Sequence, residues 1–142
     1  MKQSLCIISI LLFSMAAGAV SAADDDLTAT LSQIVENSLS AYNREDVSAT
    51  LQSVHTKSPA YTRMQQALPD QFGTRDPRTE LASLHYIGHD DEFAVARVKL
   101  KTVDQSGQPF AANILDTIAV FHQEDGKWKY WSHHVLGVEI VQ

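Results

Sequence analysis

His85, His134 and Tyr130 are the side chains best placed for chemistry. Each lies in a stretch that alternates between apolar and other residues. An imidazole changes charge near neutral pH, so His85 or His134 could take or give a proton, with Tyr130 as a hydrogen-bond donor beside them. Asn113, Thr117 and Ser132 fall on the same inferred face and would orient a ligand, while Tyr42 and Tyr61 could reach it from helices. The plainer roles compete with these. Thr117 and Ser132 suit ordinary strand positions, and Tyr130 suits a core with one hydrogen bond for its hydroxyl. Both histidines suit hydrogen-bonded structural sites.

Other chemistries lack the residues they need. His133 and His134 are neighbours on a strand and point to opposite faces, so they cannot chelate together. His85 and His89 straddle a turn, and the single cysteine, Cys6, lies in the N-terminal apolar run. No predicted helix carries a histidine pair, so neither a metal nor another cofactor is expected. Asp24-Asp25-Asp26 and Asp90-Asp91 read as solvated charge. No phosphate loop or nucleophile elbow is present.

The faces follow from one turn. Glu124-Asp125-Gly126-Lys127 separates two long apolar runs, and Asp-Gly in that setting signals a two-residue type I′ hairpin. Its register puts Glu124 opposite Lys127, Phe121 opposite Tyr130, Ala119 opposite Ser132 and Thr117 opposite His134. One face then holds Asn113, Thr117, Tyr130, Ser132 and His134. The other holds Ile114, Asp116, Ile118, Val120, His122, Trp131, His133 and Val135, and a slip of one residue would exchange them. With Asp90-Asp91 as the centre of a second turn, Ser83 and His85 join the first face, opposite Val98 and Ala96. Ala94, Ala96, Ala111 and Ala119 are small for a filled core and would leave room for a cavity there. The second face is apolar enough to need a cover, and a homodimer through Ile114, Ile118, Val120, Trp131 and Val135 is the simplest one.

The first half reads helical. Leu27, Leu31, Ile34, Leu39 and Tyr42 recur near the 3.6 period after an Asp26 cap, a short helix carries Val47, Leu51 and Val54, and Ser58-Pro59 opens a third. From Thr79 the period becomes two. Helices followed by an antiparallel meander define an α+β domain.

Met1 to Ala22 reads as a signal peptide. Leu5 to Met15 is its apolar stretch, Val20-Ser21-Ala22 supplies the small residues, and cleavage falls before Ala23. Residues 23–142 form one domain, periplasmic or secreted. The chain has 11 basic and 17 acidic residues, a formal charge of −6 that loses Lys2 with the leader. That balance disfavours nucleic acid and, after cleavage, an anionic membrane as partners.

Asp125-Gly126-Lys127-Trp128-Lys129-Tyr130 followed by His134 resembles the last hairpin of the nuclear transport factor 2-like superfamily, in particular its SnoaL-like members. Tyr42-Asn43-Arg44-Glu45-Asp46 between two helices is similar as well. The resemblance spans Leu27 to about Val138. It implies a cone: helices packed in the concave side of a bent antiparallel sheet, a pocket at the open end, and frequent dimerisation through the sheet. Family members usually carry an early strand after the second helix, where His55 to Phe72 here reads as loop and helix.

Function divides into three readings. The first is a domain that binds a small apolar or amphipathic ligand between sheet and helices. The second is a dehydratase-, isomerase- or cyclase-type enzyme using His85 or His134. The third is a dimerisation or interaction module without a ligand. Family enzymes often use an inward aspartate, whereas Asp116 is expected to point outward, opposite Val135.

Overall fold

The computed structural model describes residues 22–73, 76–105 and 110–141. The expected leader, apart from Ala22, lies outside the described residues, as do positions 74–75, 106–109 and 142. Three helices come first: α1 (Ala22–Asn43), α2 (Val47–Gln52) and α3 (Pro59–Phe72). Four strands follow: β1 (Pro77–His89), β2 (Phe93–Asp104), β3 (Asn113–Glu124) and β4 (Lys127–Ile140). They form one antiparallel sheet in the order β1-β2-β3-β4.

Local chemistry sets the helix ends. α1 starts before Asp26, so Asp26 is not its cap. Asp24 and Asp25 occupy its first turn, where their charge opposes the positive end of the helix dipole. The Asp46 carboxylate caps α2 by accepting from the Ala49 N–H at 2.9 Å. Ser58 Oγ accepts from the Ala60 N–H at 3.0 Å, and Pro59 follows in the first turn of α3, where its missing N–H costs nothing. Leu31 and Val35 of α1 are fully buried against Ala94, Ala96, Val98, Ala119 and Phe121 of the sheet. Ala94 and Ala96 share that buried cluster with Leu31 and Val35 and do not border a void, and Ala111 is exposed. Ala119 alone of the four borders the cavity described below.

The last hairpin turns at Asp125 and Gly126, with φ of 52° and 72°. Both central residues are left-handed, as a type I′ turn demands. Glu124 pairs with Lys127 and Phe121 with Tyr130. Beyond that point the simple register fails. Trp131 is an extra residue in β4, so Val120 pairs with Ser132, Ala119 with His133 and Ile118 with His134. Leu136 is a second extra residue, after which Asp116 pairs with Gly137 and Leu115 with Val138. Each bulge inserts one residue and exchanges the faces of everything beyond it.

The first bulge has a visible setting. The Tyr130 N–H donates to the Ser53 carbonyl and the His55 N–H donates to the Tyr130 carbonyl, both at 2.8 Å, so the chain after α2 lies along this stretch of β4. Inside, Tyr130 packs on Phe121 at 4.9 Å between ring centroids. Outside, Trp131 packs on His55 and His122, each at 5.1 Å, and on Phe93 at 6.0 Å.

The earlier hairpin is also offset. His89 pairs with Ala94 across a longer loop, and bulges at Ala82 and Ile87 put Tyr86 opposite Ala96 and Leu84 opposite Val98. His85 instead pairs with Arg97.

Candidate functional site

A cavity of about 810 Å³ opens between the inner face of the sheet and the helices α1 and α3. Its walls are mainly apolar. Leu39 and Tyr42 come from α1, Met64 and Leu68 from α3, and Val98, Leu100, Leu115 and Val138 from the sheet. Polar side chains enter at intervals: Ser38, Gln71, Thr79, Thr102, Asp104, Asn113, Thr117, Tyr130, Ser132 and His133. An apolar chamber with scattered polar groups is the usual form of a small-molecule site.

Four of the sequence-derived positions come together here. Thr117 is buried, and its hydroxyl donates to the Val98 carbonyl at 3.0 Å, so that hydrogen is committed to the sheet. Tyr130 is set deep beside Phe121, and burial pushes its phenol pKa well up, which keeps it a neutral hydrogen-bond donor. Asn113 opens β3, and its Nδ2 donates to the Ala111 carbonyl at 3.3 Å. Ser132 borders the cavity although it pairs with Val120, not with Ala119. Tyr42 joins from α1, with its pKa also raised by burial, and Tyr61 does not line the chamber.

The two favoured histidines are corrected. His85 is exposed opposite Arg97, and His134 is exposed opposite Ile118; both lie on the outer face and neither lines the cavity. The cause is the added residue in each strand, at Ile87 and at Trp131. The histidine in the cavity is His133. It stands at the open side of the cone, reachable by solvent yet crowded by protein. Burial holds its pKa below the ordinary histidine value, and neighbouring His134 pushes it further down. The carboxyl group in the wall is Asp104, at the end of β2, where no acid was expected on the inner face.

Other expected faces change as well. Val135 pairs with Thr117 and belongs to the inner face, so it leaves the set proposed to cover the outer one. Ile114, Ile118 and Val120 are half-buried on that outer face. Asp116 does point outward, opposite Lys99 and Gly137, not Val135. Arg97 grips it with two hydrogen bonds, one of 2.8 Å, which hold its carboxyl below the usual range. Among the described residues, no cluster of three or more His, Cys, Asp or Glu side chains is arranged to hold a metal ion.

Residues 33–141 match the family model described as the C-terminal domain of the anti-sigma-I factor RsgI9. The chain belongs to that family. Solved structures described as cystatin-like or NTF2-like share its fold. One is a cystatin-like protein of unknown function from Nostoc punctiforme: TM-score 0.65, 13% identity, covering 82% of this chain and 92% of that one. A second is a putative dehydratase of the NTF2-like family from Streptomyces avermitilis, with TM-score 0.64, 16% identity and coverage of 83% and 98%. A third is a putative scytalone dehydratase from Novosphingobium aromaticivorans, with TM-score 0.65, 10% identity and coverage of 84% and 92%. At such identities the likeness is one of fold. No curated protein sequence matches the chain significantly.

Proposed function

We propose that this RsgI9 C-terminal-type domain works outside the cytoplasm and binds one small apolar or amphipathic molecule in its cavity. The observation that carries the reading is the chamber itself. About 810 Å³ lies within the range of natural ligand sites, and its walls are mainly apolar. Tyr130, Asn113 and His133 supply separate polar anchors along it. The family is named for a domain of an anti-sigma factor, and a domain that reports ligand occupancy to an attached regulator fits that description.

Native mass spectrometry of the purified protein tests the reading. A co-purified adduct of constant mass is expected, and its loss in Ala67→Trp, which fills the chamber from α3, ties it to this site. A wild-type spectrum free of adduct, unchanged after exposure to apolar compounds, contradicts the proposal.

A second reading is acid–base catalysis of the dehydratase kind, now with His133 as the base. Its support is that burial favours the neutral form of His133, which stands in the same cavity as the neutral phenol of Tyr130. Turnover of a bound compound that disappears in His133→Gln, with binding retained, would establish it.

A further inference from the structure

We infer that the free edge of β4 is a self-complementary surface that pairs with β4 of a second copy, antiparallel, about a two-fold axis between Leu136 and Gly137. Three observations carry this. Beyond Trp131, β4 has no partner strand on its outer edge among the described residues. Along that stretch Val135, Leu136, Val138 and Ile140 are 55%, 56%, 58% and 58% exposed, an unusual run of apolar side chains for an unprotected edge. Glu139 is the one acid between Ser132 and Ile140, so two copies of an acidic chain meet there with little repulsion.

The register follows from the bulge at Leu136. An edge pairing must bring residues of the same face opposite one another. In a regular strand the two partners would then have sequence numbers of equal parity. The extra residue at Leu136 reverses parity half-way along, so Val135 and Val138 share the inner face, and His134 and Glu139 share the outer face. Rotation about the point between Leu136 and Gly137 sets Val135 against the partner's Val138, and His134 against the partner's Glu139. Because the interface is isologous, each contact occurs twice. The same rotation brings the partner's Ile140 beside His133 and covers the open flank of the cavity. The second copy thus completes a wall that one chain leaves exposed. This pairing uses main-chain hydrogen bonds along the edge, unlike a packing of the outer sheet faces through Ile114 and Ile118.

Two single-cysteine variants of the chain from Ala23, which has no other cysteine, test the register. Val135→Cys and Val138→Cys are mixed and oxidised. The mixture is expected to form a cross-linked dimer. Each variant alone is expected to remain uncrosslinked, because identical positions are then too far apart for a disulfide. A mixture that does not cross-link, or a single variant that links to itself efficiently, overturns the proposal. A charge exchange adds an independent arm. His134→Glu should weaken the dimer about tenfold by facing Glu139, and the double variant His134→Glu/Glu139→Lys should restore it. Both residues are exposed, so folding is unaffected. A dissociation constant that neither variant moves, or sedimentation as a monomer at every concentration, also overturns it.

Discussion

His133 lies across from Ala119, one residue out of step with the hairpin turn that begins β4. That single offset decides which imidazole meets a ligand. The offset originates at Trp131, whose indole is held outside by His55, His122 and Phe93 while Tyr130 stays inside on Phe121.

Trp131→Ala removes the outer half of this clamp. The ring is half-buried, so the loss is expected near the low end for a large-to-small aromatic change, about 2–3 kcal/mol. Chemical denaturation followed by far-UV circular dichroism checks the figure. The variant should also make the protection of the Tyr130 amide in hydrogen exchange fall, because its bond to Ser53 lies beside the clamp.

Gly126 sits at φ 72° with open space where a Cβ would stand. Gly126→Ala therefore meets no clash and suffers only the left-handed backbone penalty, about 1 kcal/mol. Gly126→Val should cost more, because a β-branched residue tolerates that conformation less well. Equilibrium unfolding of both variants orders them.

Glu124 ties the hairpin to the chain after α2. Its Oε2 accepts from Lys129 Nζ at 2.6 Å, and its Oε1 accepts from the Thr56 N–H at 3.1 Å and from the Thr56 hydroxyl. The Lys129 and Thr56 hydrogen bonds hold the carboxyl at about 2. A folded pKa below the unfolded value means the group stabilises the fold above the unfolded value and loses that contribution as pH falls. The difference in stability between wild type and Glu124→Gln is thus expected to be constant above pH 4.5 and to shrink from there toward pH 2. A pH series of denaturation midpoints reads it out, and a difference that grows on acidification would contradict the assignment.

His133, set in the cone and next to His134, is expected to take its proton below the ordinary histidine range. Since its folded pKa is lowered, this residue destabilises the fold as pH falls below the unfolded histidine value. His134→Gln removes the smaller of the two causes and should raise the His133 value only in part. Two-dimensional NMR of the imidazole carbons follows the His133 titration.

These results also mark how far the residues themselves could be read. The Asp46 cap goes unread and Asp26 reads falsely as a cap, but the stripe on α1, the Ser58 cap, the Asp125–Gly126 turn and the first pairs up to Phe121 and Tyr130 follow from local chemistry and are legible. The bulges at Ala82, Ile87, Trp131 and Leu136 are not. A bulge answers to neighbours far along the chain: the segment Ser53–His55 fixes Tyr130 from the other edge, and no pattern of two around Trp131 shows that contact. Because faces alternate, the extra residues at Ile87 and Trp131 moved His85 in β1 and His134 in β4 to the other side. The alanines misled for a similar reason. Ala94 and Ala96 are buried in one cluster with Leu31 and Val35 of α1, and the chamber lies farther along, between α3 and Leu100 and Leu115.

Ligand binding here requires an accessible chamber with His133 on its wall and His134 behind it. NMR titration of the protein with Nile red, a neutral apolar probe, tests this most directly. Saturable binding that shifts the imidazole resonance of His133 and leaves that of His134 in place, and that is lost in Ala67→Trp, is the expected result. Absence of saturable binding, or binding that moves His134 and persists in Ala67→Trp, would contradict it.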